Sequence, residues 1–193
     1  MIRGEKVDLV APSERYIDSY HRWVNDPDVV DMLGFPDFHF PREREEKWIE
    51  EQQDMCRAER GFTILTRKGK AIGNIALMEI DFVSGSAILG IMIGEKDYWD
   101  RGYGADAINT ALRVAFEEMG LRRVSLTAVD LNERALACYE KCGFVAEGRD
   151  REAKFHRGEY RDFVRMSILR REWTSRRKPR RKRAGRPAAR KDK

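Results

Sequence analysis

The chain has 193 residues, 41% of them hydrophobic and 37% charged, and its formal net charge is +5. This length and composition are typical of one globular domain with a highly charged surface. No apolar run approaches the ~18 residues that a membrane-spanning helix needs, and the first residues are too charged and too few for a signal peptide. We therefore expect a cytoplasmic protein without a membrane contact.

The elements of the N-terminal half begin with a strand and two helices, followed by three strands. Asn25–Asp28 separates the two helices, and the residues after it form a short helical turn at most. The predicted elements are a strand at 6–11, a helix from Pro12-Ser13 to about 24, a charged helix at 42–60, and strands at 62–66, 71–80 and 87–94.

The C-terminal half alternates helix and strand and then closes with a hairpin. Its predicted elements are a helix at 105–119, a strand at 123–129, a helix from the capping residue Asn132 to 142, and hairpin strands at 144–155 and 160–170. The whole order indicates an α+β domain, with a mixed sheet and helices on both of its faces.

The positive charge is concentrated at the C-terminus. Residues 176–193 contain eleven Lys or Arg and one Asp, a net charge of +10, which leaves about −5 on residues 1–175. The dense like charge and the two prolines predict a disordered tail at 174–193, after a domain at 1–173. The tail either only solvates the chain or holds it to RNA, DNA or the ribosome.

The three cysteines, Cys56, Cys138 and Cys142, are too few for a disulfide framework. Cys138 and Cys142 are four residues apart on a predicted helix, and we expect them to pack in the core or on the helix surface. The three histidines do not add a metal-binding spacing. No metal site is predicted.

The segment YWDRGYGADA at 98–107 places two glycines directly before a helix. A helix N-terminus leaves backbone N–H groups unpaired, and glycines let an anion approach them closely. Three interpretations are open: a tight turn, a dinucleotide-binding G-x-G-x-x-A turn with Asp130 downstream, or a site for another phosphate ligand. The residues EKDYWDR between the preceding strand and Gly102 do not fit the dinucleotide fold.

The ordered series of segments over about residues 2–173 resembles the GNAT acyltransferase superfamily, in the branch of ribosomal-protein N-terminal and spermidine acetyltransferases. The segments are GEKVDL, IGNIALMEID, LGIMIGEKDYWDRGYGADAI, AFEEMGLRRVSLTAVDLNERALACYEKCGFVAEGRDRE and RGEYRDFVRMSIL. The resemblance implies the family's mostly antiparallel sheet and an enzyme that moves acetyl from acetyl-CoA to a primary amine. It also leaves a homodimer open.

By this resemblance, the glycine turn holds the pyrophosphate of acetyl-CoA and the strand at 91–93 pairs with the pantetheine arm. Trp99 stands where the family usually has Gln or Arg, which implies one lost polar contact. Asn132 is either a helix cap alone or a cap that also contacts the cofactor. The implied cofactor-binding residues are Ile91, Met92, Ile93, Trp99, Arg101, Gly102, Tyr103, Gly104, Ala105 and Asn132.

Tyr139 lies where the resemblance implies the tyrosine that protonates the departing thiolate. Three candidates remain for the base that deprotonates the amine: Glu79, Asp81 and a water chain. The implied acceptor is a protein N-terminus, first that of a ribosomal protein, or alternatively a polyamine. A third alternative is a non-catalytic acyl-CoA-fold module that the tail holds to nucleic acid.

Overall fold

An eight-stranded sheet forms the centre of the structure, a computed structural model that describes residues 1–33, 39–52 and 58–177. The strands lie in the order β1-β2-β3-β4-β5-β6-β8-β7, and only the pair β5 and β6 is parallel. The strands are β1 (Ile2–Arg3), β2 (Val7–Val10), β3 (Arg60–Thr66), β4 (Ala71–Asp81), β5 (Ser86–Ile93), β6 (Arg123–Val129), β7 (Val145–His156) and β8 (Glu159–Leu169). The predicted mixed, mostly antiparallel sheet is confirmed.

Helices cover both faces of this sheet in the described chain. They are α1 (Ile17–Val24), α2 (Pro27–Val30), α3 (Arg42–Glu51), α4 (Tyr103–Arg113), α5 (Glu133–Cys142) and α6 (Arg170–Arg177). Single 3₁₀ turns lie at Glu14–Tyr16, Asp31–Leu33 and Lys96–Tyr98, and α4 continues as a π-helical turn over Val114–Glu118. None of the described helices is both long and apolar enough to span a bilayer.

The second predicted helix and the C-terminal boundary are two of the places where the structure differs from the prediction. The second predicted helix, 42–60, ends at Glu51 in the described part of the chain. Residues 53–57 lie outside the described residues. The prediction for Arg60 is wrong, because this residue pairs with Leu77 in the sheet. At the other end, α6 runs to Arg177, past the predicted boundary at 173/174. Trp173 is buried in the core, which fixes α6 to the domain. Residues 178–193 lie outside the described residues.

The two faces of the sheet have separate hydrophobic cores. The larger core joins α4 and α5 to one face, and Ile108, Leu112 and Phe116 are fully buried there at helical spacing. The smaller core lies on the other face, where Tyr20 and Trp23 of α1 pack with Ile49 of α3 and neighbouring strand residues. The β5 strand therefore lies between two helical layers.

The parallel strands β5 and β6 pair over only three residues. Their register runs from Ser86 opposite Arg123 to Ile88 opposite Ser125, and no β5–β6 pair follows in the described residues. The rest of β5, up to Ile93, lies in the sheet beside β4 but has lost its neighbour on the β6 side. This separation, which the sequence could not show, opens a gap in the middle of the sheet.

The carboxylate of Asp106 fixes the N-terminal segment to α4. It accepts hydrogen bonds from three backbone N–H groups, those of Glu5 at 3.1 Å, Lys6 at 2.7 Å and Val7 at 2.9 Å. Asp106 belongs to the first turn of α4, where a negative charge also interacts favourably with the helix dipole. One side chain thus joins two segments that lie about a hundred residues apart.

Replacing Asp106 by alanine is expected to lower the free energy of unfolding by about 2–3 kcal/mol, since three N–H groups lose a charged acceptor. Asp106→Asn is the matched control, because the amide keeps one of the two acceptor oxygens, and we expect it to lose about half as much. Urea unfolding followed by circular dichroism measures both variants. Equal stability of wild type and Asp106→Ala would show that these bonds contribute nothing net.

A charged cluster joins β6, β8 and β7 on the surface of the sheet. The guanidinium of Arg123 donates to both carboxylate oxygens of Glu147, at 2.7 and 2.6 Å, and the Ser167 hydroxyl donates to Glu147 at 2.7 Å. The Arg123 hydrogen bonds and, after them, the Ser167 hydrogen bond lower the pKa of Glu147 to about 2.

This lowered pKa predicts a pH dependence of stability. The charged form of Glu147 stabilises the fold above the carboxyl's ordinary pKa of 4.5, and that contribution is lost as the pH falls through the folded pKa of about 2. The Glu147→Gln variant lacks the contribution at every pH. We expect the difference in melting temperature between wild type and variant to shrink as the pH falls from 4.5 towards 2, and to be small throughout because the pair is solvent-exposed. A constant difference would contradict this.

Candidate active site

A cavity of about 450 Å³ lies beside the end of β5, where β5 no longer pairs with β6. On one side of the sheet, Ala105 and Ile108 of α4 and Tyr139 of α5 line it. On the other side, Val29 and Leu33, from α2 and the turn after it, line it. Because residues from both faces contribute, the cavity connects the two faces of the sheet through the gap.

Most of the predicted site residues meet at this cavity. Those that line it are Ile91, Met92, Ile93, Trp99, Gly102, Gly104, Ala105, Asn132 and Tyr139. Arg101 and Tyr103 are not among the lining residues: the Arg101 side chain donates to the Asp97 carbonyl at 3.0 Å, and the Tyr103 ring packs edge-on against Tyr98 at 5.1 Å. These two residues shape the turn with their backbone while their side chains face elsewhere.

The register of β4 and β5 decides which backbone groups face the gap. Gly94 N–H bonds to the Ile72 carbonyl at 2.9 Å, and the pairing alternates from there along the antiparallel ladder. Met92 therefore directs its N–H and carbonyl towards β4, whereas Ile91 and Ile93 direct theirs into the gap. The predicted main-chain contact of the strand is thereby narrowed to Ile91 and Ile93, and Met92 contributes its side chain.

The glycine turn has the geometry of an anion cradle. Gly102 adopts a left-handed conformation with φ of 81° immediately before α4, which other residues adopt only under strain. Gly104 lies in the first turn of α4 and lines the cavity. The N–H groups at the start of α4 have no partner within their own helix, as at every helix N-terminus, and this arrangement suits an anion.

The Trp99 side chain makes two contacts in the site, one hydrogen bond and one contact of its ring with a cation. Its indole N–H donates to the Ile93 carbonyl at 2.7 Å, and the guanidinium of Arg134 lies over its ring, 3.9 Å from the ring centroid. The Ile93 carbonyl, one of the polar groups that face the gap, is therefore already satisfied by the protein. On the gap side of β5 this leaves the N–H groups of Ile91 and Ile93 and the Ile91 carbonyl.

Asn132 and Tyr139 are positioned by α5. The Asn132 side-chain oxygen accepts from Ala135 N–H at 3.1 Å, so its capping role is confirmed, and Asn132 also lines the cavity. Tyr139 is 8% exposed, and its ring packs against Phe144 at 5.9 Å. Burial, and secondarily the neighbouring thiols, raise the pKa of Tyr139, so the phenol keeps its proton and can donate it.

The two carboxylates predicted as candidate bases lie away from the gap. Asp81 pairs with Ser86 at the far end of the hairpin, and Glu79 follows Met78, which pairs with Ile88. At about 3.3 Å per residue, both are roughly 10–17 Å along the sheet from Ile91. Asp81 instead accepts from Val83 and Ser84 N–H in the turn. Of the predicted routes for the amine proton, a water chain agrees best with this geometry.

The sequence did not point to several lining residues. Arg134, Cys138 and Lys141 line the cavity from α5 at helical spacing, so the helix periodicity together with Tyr139 held a usable signal. Val29 and Leu33 had no such signal, because α2 reaches the cavity only through the tertiary fold. Among the described residues, no group of three or more His, Cys, Asp or Glu is placed to hold a metal ion.

This arrangement can bind an acyl thioester and assist its aminolysis. The cradle suits a pyrophosphate, the gap-facing N–H groups of β5 suit the oxygen that gains negative charge during attack, and Tyr139 suits the leaving group.

Comparisons with known proteins agree with this site. The family model described as an acetyltransferase (GNAT) domain matches residues 6–145. A spermidine N(1)-acetyltransferase of Vibrio cholerae is 34% identical over 119 residues, which cover 62% of this chain and 68% of that protein. A putative ribosomal N-acetyltransferase, YdaF of Bacillus subtilis, is 33% identical over 126 residues, covering 65% and 67%.

A solved structure shows the same fold. The spermidine N-acetyltransferase of Vibrio cholerae, crystallised in complex with CoA and spermine, superposes with a TM-score of 0.80 at 27% identity. The match covers 88% of this chain and 98% of that chain. These similarities favour an enzyme that uses acetyl-CoA over a non-catalytic module of the same fold.

Proposed function

Because this chain belongs to the GNAT family of acetyl-CoA-dependent acetyltransferases, we propose that it acetylates the α-amino group at a protein N-terminus. Acetyl-CoA supplies the acetyl thioester. The proposed cofactor contacts are the N–H groups of the glycine turn, the gap-facing backbone of Ile91 and Ile93, and the capping residue Asn132. The acceptor amine enters from the face of α2 and attacks the thioester directly, without a covalent enzyme intermediate.

The ion pairs of the carboxylates around the cavity favour a protein N-terminus as the acceptor. Asp28 pairs with Lys96 at 2.7 Å, Asp31 with Arg157 at 3.1 Å, and Asp100 lies 3.9 Å from Arg134. These acidic groups already have basic partners in the protein. A polyamine has several positive charges and needs several carboxylates, whereas a peptide N-terminus has one charge, which it loses before attack.

The floor of the sheet on the α2 side also suits a peptide. Ile75, Leu77 and Leu89 belong to the larger core with α4, so the alternate residues of β4 and β5 face the other way. These are Asn74 opposite Met92, Ala76 opposite Gly90, and Met78 opposite Ile88. They include no carboxylate, and the side-chain oxygen of Asn74 has no hydrogen-bond partner in the described part of the chain.

The acceptor is tested by following CoA release with a free thiol reagent. The acceptors are peptides with ribosomal-protein N-termini, the same peptides with a blocked N-terminus, spermidine, and an aminoglycoside. We expect release with the free peptides only, and mass spectrometry should place the acetyl group on the α-amine. Faster release with spermidine would favour the alternative, a polyamine acetyltransferase, which the named activity of the Vibrio cholerae matches above supports. No release with any amine would contradict both.

The basic tail is proposed to hold the enzyme to RNA. Arg176 belongs to α6 and donates to the Lys141 carbonyl at 2.7 Å, so the deletion should spare it and remove only residues 178–193, with a net charge of +8. We expect the full chain to bind an RNA oligonucleotide with an affinity that falls steeply with salt, and the shortened chain to lose that binding while acetylating a free peptide normally. Equal RNA binding by both chains would contradict this function of the tail.

A cytoplasmic location and a homodimer remain proposals. The first follows from the use of acetyl-CoA and of newly made protein N-termini, both of which are present in the cytoplasm. The second is tested by sedimentation of the purified chain, in which a single monomeric species at micromolar concentration would contradict it.

A further inference from the structure

Two cysteines lie one helical turn apart on the side of α5 that meets the cavity. Cys138 is half-buried and lines the cavity, whereas Cys142 is buried behind it. The Cys142 sulfur lies 3.7 Å from the Ala105 carbonyl and 3.8 Å from the Asn109 amide nitrogen. The less buried thiol of the pair, that of Cys138, therefore faces the proposed acetyl-CoA site.

The surroundings of Cys138 favour anions. Arg134 and Lys141 line the same cavity one turn before and after it, and the first turn of α4 adds unpaired N–H groups. A hydrogen bond from Cys142 and, more weakly, the charges of Lys141 and Arg134 lower the pKa of the Cys138 thiol below its ordinary value, although burial and the Asp100 carboxylate oppose them. The lowered pKa favours the thiolate, which is the nucleophilic form.

We propose that Cys138 is a thiol-modification site inside the cofactor cavity, where its sulfur takes up one half of a small anionic disulfide and thereby excludes acetyl-CoA. The Cys138 thiolate attacks one sulfur of the disulfide and forms a new S–S bond. The original S–S bond breaks, its electron pair leaves with the second half as a thiolate, and solvent protonates that thiolate. The disulfide is the only co-reactant.

The regular geometry of α5 disfavours resolution of the adduct by Cys142. Residues four apart on a helix have Cβ atoms ~5–6 Å apart, whereas a disulfide needs about 3.5–4.5 Å. An internal Cys138–Cys142 bond would require α5 to distort, so the mixed disulfide persists until an external thiol reduces it. A bound adduct lies between the glycine turn and Arg134, where it competes with the pyrophosphate of the cofactor.

The test uses the full chain with Cys56→Ser, so that only Cys138 and Cys142 can react. After incubation with glutathione disulfide at neutral pH, intact-mass spectrometry should show one glutathionyl group, and peptide mapping should place it on Cys138. Cys138→Ser should remain unmodified, Cys142→Ser should still be modified, and melting temperatures check that both variants fold. Saturating acetyl-CoA should slow the modification at least tenfold.

The functional readout is the thermal shift that acetyl-CoA produces. We expect the modified protein to lose this shift and to regain it after treatment with dithiothreitol. No adduct, an adduct on Cys142 alone, or an internal disulfide would overturn the proposal, as would a modified Cys138 with an unchanged acetyl-CoA shift. The proposal rests on the proposed cofactor site, whose own failure is distinguishable: the reduced, unmodified protein would then show no acetyl-CoA shift at all.

Discussion

Replacing Tyr139 by phenylalanine is expected to lower turnover by about tenfold to a thousandfold while acetyl-CoA binding is unchanged. The substitution removes only the hydroxyl, so the ring keeps its packing against Phe144. An unperturbed phenol and thiol differ by ~1.5 pKa units, so protonating the thiolate costs about 2 kcal/mol, and the raised pKa of Tyr139 increases that cost. Solvent can also protonate the thiolate, so we expect only a moderate loss of turnover in the variant.

Single-turnover kinetics and a thermal shift with acetyl-CoA separate the two effects of this variant. Tyr16→Phe is the matched control, since Tyr16 packs on Tyr20 of α1 and is not among the residues that line the cavity. Full activity of Tyr139→Phe would remove Tyr139 from the mechanism. Reduced acetyl-CoA binding would instead make it a binding residue.

The raised pKa of Tyr139 also predicts the shape of the pH profile. Burial disfavours the phenolate, so the phenol stays protonated through the neutral and mildly alkaline range. Deprotonation of the acceptor amine then controls the rate, which we expect to rise with pH and not to fall again below about pH 10. A fall of kcat near pH 8 in the wild type that is absent in Tyr139→Phe would contradict the assigned proton donor.

The sequence was sufficient where local pattern determines structure. Strands β3 to β6 and helices α4 and α5 follow from alternating or helical spacing of apolar residues, and Gly102 and Asn132 mark helix starts by their own chemistry. The family resemblance added the ligand, because several spaced segments are more specific than one glycine turn. These features depend on residues close together in the chain.

The gap in the sheet could not be predicted in the same way. It depends on where β6 leaves β5, and that is decided by packing on α4 and α5 and by the pairing of β6 with β8. The same limit applies to Val29 and Leu33, which reach the cavity from the opposite face. It applies equally to Asp106, because its three N–H partners lie about a hundred residues earlier in the chain.

Gly104→Ala is expected to stabilise the protein and to weaken the cofactor site at the same time. Gly104 lies in the first turn of α4; alanine is favoured over glycine by roughly 0.5–1 kcal/mol in a helix interior and by less at a helix start. A Cβ atom there would meet only the Ile93 side chain, at an ordinary contact distance of 3.7 Å. Glycine at this position is therefore unfavourable for the helix and has no packing reason.

The proposed cofactor cavity explains why glycine occupies position 104. A methyl group on Gly104 would stand in front of the N–H groups of the cradle and keep the pyrophosphate from approaching them. The loss of one hydrogen bond to a charged group corresponds to about 1.5–3 kcal/mol, or roughly a ten- to hundredfold weaker binding of acetyl-CoA. Thermal denaturation should give a melting temperature raised by up to about 4 °C, and isothermal titration should give the weaker affinity.

Asn109→Ala is the control for this experiment, because it adds alanine to the same helix at a position that does not line the cofactor cavity. We expect it to leave acetyl-CoA affinity close to that of the wild type. The Gly104→Ala variant is expected to be more stable and to bind acetyl-CoA more weakly. A general disturbance of α4 would instead lower both stability and affinity, so the two outcomes can be told apart. Unchanged affinity in Gly104→Ala, together with the higher melting temperature, would place the pyrophosphate away from the glycine turn.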